Sequence, residues 1–168
     1  NYGEGFELAG VETGPGTQPT GARVLTNVPM PQPLFRNTSR GYPGYNTNIP
    51  DQYRADRFIE EIQKQYIDLN IDLPRFIYIH LPNDHIAKER PEDGDTYAAS
   101  YVADNASALS RIVGIRIGTR RWKKMAIFVT EDDAQGGVDH IDSHRTLLLL
   151  ASPYAKRNYV SHTNSSFP

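Results

Sequence analysis

The chain is 168 residues long with a formal net charge of −2, enough for one ordinary domain and too evenly charged to present a basic field to a nucleic-acid backbone. Cysteine is absent, which excludes disulfides, thiolate metal ligands and a cysteine nucleophile. The longest apolar run, Leu147 to Ala151, falls far short of the ~20 residues a membrane-spanning helix needs.

Residues 1–50 carry no sustained period of 2 or 3.6. Gly14-Pro15-Gly16, Pro29-Met30-Pro31-Gln32-Pro33 and Gly41-Tyr42-Pro43-Gly44-Tyr45 are turn and polyproline signals. Phe6, Leu34, Phe35, Tyr42 and Tyr45 give this arm apolar anchors, so it is expected to be an ordered but irregular cover over a domain that occupies residues 51–168.

A helix is expected from Asp51, read as its N-cap, with Phe58, Ile59, Ile62, Tyr66 and Leu69 on one face. Pro74 separates it from Phe76-Ile77-Tyr78-Ile79-His80-Leu81, a nearly all-apolar run of the kind found in strands covered on both faces. That run ends abruptly in Pro82-Asn83-Asp84-His85. A second helix is expected over 97–117, capped by Asp95 or Thr96, with Val102, Ala106, Leu109, Ile112 and Val113 as its buried stripe. Asp104 and Asn105 read as an exposed polar turn of that helix. Met125 to Thr130 is a second apolar run, ending in Glu131-Asp132-Asp133, and Leu147 to Ala151 a third, closed by Ser152-Pro153. Strand, helix, strand implies a right-handed crossover and hence a parallel sheet. The expected fold is therefore α/β, a mostly parallel sheet flanked by helices. Three strands do not make a stable open sheet alone, so the sheet is expected to be incomplete in this chain, with further strands upstream.

At the carboxyl edge of an open parallel sheet, ligands bind beyond the strand ends. Two of the expected strands end in metal-ligand chemistry, Asn83-Asp84-His85 and Glu131-Asp132-Asp133, and Asp139-His140-Ile141-Asp142-Ser143-His144-Arg145 follows the second. Four of the five histidines, His80, His85, His140 and His144, lie in or beside these segments. Mixed carboxylates and imidazoles suit zinc, manganese or iron, and an oxygen-rich set suits magnesium or calcium. Taken singly the pieces have plainer explanations. An acidic triplet is commonly a solvated loop, His80 inside an apolar run is expected to be a core histidine, and His162 a surface one. Arg145 can simply neutralise nearby acids.

Leu81-Pro82-Asn83-Asp84-His85, Tyr101-Val102-Ala103-Asp104-Asn105, Ala126 to Gln135, Asp139 to Thr146 and Ser152-Pro153-Tyr154 together resemble, in order and spacing, bacterial phosphoesterases of the alkaline phosphatase superfamily, which include phospholipases C and acid phosphatases. The likeness is strongest over residues 75–160. It implies a helix–sheet–helix sandwich of alkaline phosphatase type, hydrolysis of phosphoric esters through a phosphorylated serine or threonine, and a divalent metal. Asp132 and Asp133 match the family's acidic metal-binding pair, His140 the histidine that follows it, and Asp84 and His85 a segment that approaches a metal or the substrate phosphate. His144 and Arg145 match the pattern beyond. The resemblance also implies export, to a periplasmic or extracellular location. The family's nucleophile has no counterpart among these residues and is expected upstream, on the same polypeptide or a partner chain. The isolated chain is then expected not to turn over. The family's glycine-bearing continuation after Asn-Asp-His is replaced here by Ile86-Ala87-Lys88-Glu89-Arg90. The alternative is a non-catalytic structural or assembly module descended from such an enzyme.

Overall fold

A computed structural model describes residues 8–9, 24–25, 32–39, 41–47, 49–86, 89, 91, 96–117, 120–132 and 146–165. The chain divides into two compact units, residues 1–115 and 116–168.

In the first unit, β1 (Leu8–Ala9) pairs antiparallel with β2 (Val24–Leu25). Helix α1 (Gln32–Arg36) is one short turn inside the arm expected to be irregular. Pro33 stands in its first turn, where a missing N–H costs nothing. Its carboxyl end is closed by Asn37 Nδ2 and Thr38 Oγ1, which donate to the carbonyls of Pro33 (2.6 Å) and Leu34 (2.8 Å).

Helix α2 spans Asp51–Ile62 and opens into a π-helical turn, Gln63–Ile67. Ile62 is buried and Phe58 and Ile59 pack on the core, as the spacing predicts, but Leu69 lies beyond the helix and is exposed. The chain leaves the last turn through Asn70, whose φ of 54° is the left-handed conformation that asparagine tolerates at helix ends.

Helix α3 (Ala98–Ile117) matches the expected second helix, rotated about its axis. Tyr101, Ala108 and Ile112 are buried, whereas Val102 and Ala106 face outward. The cause lies in its partner. Ala55 of α2 clusters with Ala108 and Ile112, and Phe58, Ile59, Ile79 and Leu81 pack around them.

The expected parallel sheet is not what forms. Residues 76–81 are extended but belong to no ladder; Phe76 is 81% exposed and Tyr78 77%, and only Ile79 and Leu81 turn toward the core. An apolar run becomes a strand only when another strand satisfies its N–H and C=O groups. In the second unit, a 3-10 turn (Arg120–Lys124) leads into β3 (Ile127–Thr130), which pairs antiparallel with β4 (Leu148–Ala151), Ile127 opposite Ala151 and Thr130 opposite Leu148. A parallel pair needs a crossover element between its strands. The helix read from the sequence, α3, lies before β3 and not between β3 and β4. Among the described residues the sheets are therefore two antiparallel ribbons, not a parallel sheet flanked by helices.

Met125 to Thr130 and Leu147 to Ala151 were expected as strands of a sheet flanked by helices. Instead Phe128 is 66% exposed and Leu148, Leu149 and Leu150 are all exposed. Its ends are tied by side chains: Thr130 Oγ1 donates to the Leu147 carbonyl (2.9 Å), and Ser152 Oγ to that of Met125 (2.9 Å). No helix among the described residues is long and apolar enough to cross a membrane.

Candidate functional site

The most organised polar region of the first unit starts at the head of α2. Pro50 occupies the N-cap position and has no side-chain oxygen to offer, so the first N–H groups of the helix need an acceptor from elsewhere. Asp104 supplies it from α3: its carboxylate accepts from the backbone N–H of Asp51 (2.5 Å) and Gln52 (3.3 Å), and from Gln52 Nε2 (3.1 Å). One helix is thus capped by a carboxylate of the other, which also complements the positive end of its dipole.

Asp51 is therefore not the cap but the first helical residue, and its side chain turns inward. It accepts from Arg54 Nη1 (3.1 Å), from the backbone N–H of Asn83 (3.0 Å) and from Asn105 Nδ2 (3.0 Å). Asn105 Nδ2 also donates to the Leu81 carbonyl (2.9 Å), and Asn83 Nδ2 to Asp104 (2.8 Å). Burial pushes the Asp51 carboxyl up to about 6, against the opposing pull of the Asn83 N–H and of Arg54.

Arg54 is fully buried and uses all of its donors. Nη1 reaches the Ile49 carbonyl (2.6 Å) as well as Asp51, Nη2 the carbonyls of Gly44 (2.6 Å) and Asn46 (3.0 Å), and Nε that of Pro43 (3.4 Å). A planar fork with five N–H groups suits a curled backbone of this kind; an ammonium would leave carbonyls unmet. Burial lowers the Arg54 pKa while the Asp51 charge opposes the shift. The same loop is stitched on its far side by the Tyr42 hydroxyl, which donates to the His80 carbonyl (2.7 Å). Burial raises the Tyr42 phenol well above its usual range.

On this foundation stands the Asn83-Asp84-His85 segment, folded as a 3-10 turn (Pro82–His85). Asn83 is 2% exposed, and its Oδ1 finds no donor among the described residues. Asp84 is half-buried and His85 exposed. His80, expected in the core, is exposed instead. The Tyr45 ring lies near-parallel to that of His80 (centroids 6.3 Å, 19°) and near-perpendicular to that of His85 (5.6 Å, 83°). Ile86, next in the chain, has φ of 57°, a left-handed conformation that is costly for a β-branched residue.

Of the residues singled out from sequence, Asp84 and His85 thus share one turn of the first unit. Asp132 is exposed just past β3 in the second, where the neighbouring Glu131 accepts from Thr146 Oγ1 (3.4 Å). Asp133, His140, His144 and Arg145 lie outside the described residues. Three segments meeting at one rim of a parallel sheet was the sequence argument for their convergence, and with no such sheet that argument falls. Among the described residues no three His, Asp or Glu side chains gather to hold a metal. Asp104 and Asn105, read as an exposed polar turn, are half-buried members of the network. They lie on the Tyr101, Ala108, Ile112 face, which is apparent only once α3 is packed on α2.

No family model matches the chain, and no curated protein or solved structure is significantly similar to it.

Proposed function

We propose that this chain is part of a metal-dependent phosphoric ester hydrolase acting on phosphomonoesters or phosphodiesters. In this reading Asp132, Asp133 and His140 of one unit and Asp84 of the other are each candidate metal ligands, and His85, His144 and Arg145 are candidate donors to phosphoryl oxygens as charge develops on them. The donor set fits Zn, Mn or Fe by its imidazole and Mg or Ca by its carboxylates; a cation so bound polarises the phosphoryl oxygens. The nucleophile comes from a polypeptide segment upstream or from a partner chain, and the location is periplasmic or extracellular.

The observation that carries the reading is the mounting of Asn83-Asp84-His85. Asn83 is fixed from inside by Asp51 and Asp104, whereas His85 of the same turn is left in solvent. Binding and catalytic groups have that character: an exposed side chain on a turn positioned by a rigid scaffold. The motifs quoted from sequence supply the rest.

Titration with Mn²⁺, followed by calorimetry, tests it. The chain binds the ion, and Asp132→Ala weakens binding at least tenfold; parent and variant binding Mn²⁺ alike, or neither binding it, sinks the reading. Supplied with the polypeptide that furnishes the nucleophile, the parent hydrolyses 4-nitrophenyl phosphate faster when Mn²⁺ is added.

The exposed leucines of β4 favour a second reading, an assembly module whose ribbon is covered by another chain. It predicts self-association or partner capture that Leu149→Lys abolishes, with no dependence on metal.

A further inference from the structure

Building on the phosphoester reading, we propose that Tyr45, His80 and His85 form a subsite for a flat aromatic ring carried by the phosphorylated ligand, so that the substrate class is aryl or heteroaryl phosphate esters. The three side chains come from three stretches of chain: the 41–49 loop, the extended run before Pro82, and the 3-10 turn. The Tyr45 ring lies near each of the two imidazoles, and His85 is also the proposed phosphate contact.

Two features set this cluster apart from a chance meeting of surface rings. The first is rigidity. Tyr45 is 56% exposed, yet Pro43 and Ile49 of its own loop are buried and the carbonyls of Pro43, Gly44, Asn46 and Ile49 are all held by the Arg54 guanidinium. The ring is presented to solvent on a loop fixed from within. Little conformational freedom then remains to be lost on binding, the property that makes tyrosine effective in recognition surfaces.

The second is the angle between the rings. One imidazole is nearly parallel to the phenol ring and the other nearly perpendicular. A planar ligand entering such a corner gains offset-stacked contact with one wall and edge contact with another, the two arrangements aromatic pairs prefer. The exposed His85 imidazole at the same corner can donate to phosphoryl oxygens. Aliphatic esters would receive the second interaction without the first. The hydroxyl of Tyr42 takes no part, being committed to the His80 carbonyl.

The test is equilibrium binding without metal, followed by NMR shifts of the full chain, with phenyl phosphate, methyl phosphate and phenol as ligands. Phenyl phosphate is expected to bind about tenfold more tightly than methyl phosphate, within the range of one good aromatic contact. Tyr45→Phe keeps that preference, and Tyr45→Leu reduces it to less than twofold without weakening methyl phosphate. Circular dichroism confirms that both variants fold. A parent that binds the two esters equally, or binds neither, overturns the proposal, as does a Tyr45→Leu variant that still prefers phenyl phosphate. Loss of ring preference with methyl phosphate still bound removes this subsite alone. Loss of Mn²⁺ binding removes the hydrolase reading and leaves the ring preference measurable.

Discussion

Replacing Arg54 with methionine removes a fully buried cation from the polar network of the first unit. Methionine keeps most of the side chain's volume and removes the charge and every donor. Asp51 is then a buried carboxylate without its cation, and the carbonyls of Pro43, Gly44, Asn46 and Ile49 lose the group that turned them inward. Breaking one side of a buried pair costs about 3–5 kcal/mol, mostly through the partner left behind. With a urea dependence of about 2 kcal/mol/M for a small protein, the midpoint falls by roughly 1.5–2.5 M. Because the loss comes largely from the stranded charge, adding Asp51→Asn in the same chain returns part of it, and a double-mutant cycle in urea at pH 7 measures how much. A loss below about 1 kcal/mol, or a double variant no more stable than Arg54→Met, refutes the account of Arg54 as the partner that makes the Asp51 charge tolerable.

Two further outcomes follow from the same region. Because burial lifts the folded-state Asp51 carboxyl to about 6 from the ordinary 3.8, the native state holds a proton that the unfolded chain has released between those values. This group's contribution to stability is therefore greatest below pH 4 and is lost as pH rises through 6, on the order of 2–3 kcal/mol. Denaturation midpoints measured from pH 4 to 7 show that slope in the parent and lack it in Asp51→Asn. At Ile86, glycine accepts the positive φ without strain, so Ile86→Gly raises stability by about 1 kcal/mol after its own entropic cost; thermal melting detects the shift, and an unchanged or lower Tm argues against strain there.

Much of the first unit was legible in the sequence where periodicity speaks for itself. The start of α2 at Asp51 and the span of α3 follow from apolar spacing, and Phe58, Ile59 and Ile62 face inward as that spacing requires. The rotation of α3 was not legible, because Val102, Ala106, Leu109, Ile112 and Val113 make a good stripe on paper, and of these only Ile112 joins Tyr101 and Ala108 on the buried face. Only the facing helix decides which face is buried. The second failure is of the same kind. Residues 76–81, 127–130 and 148–151 are all apolar enough for buried strands, but pairing is a property of two segments, and composition says nothing about which partner is in reach or which way it runs.

The candidate site divides along the same line. The chemistry of Asn83-Asp84-His85 is visible as residue types, whereas the network beneath it joins residues 51, 83 and 104, far apart in sequence. Asp51 at the head of a helix carries the local signature of a cap. That Asp104 takes over the task and releases Asp51 for Arg54 is information held in the packing of α2 on α3 alone.

Four carbonyls of a proline- and glycine-bearing loop converge on one guanidinium that sits inside the fold rather than on its rim. Peeling that loop away would strand a cation in the interior or drag it out together with the first turns of α2. The loop therefore detaches only in a large cooperative opening, and its slowest amide exchange should keep pace with the helix to which it is riveted.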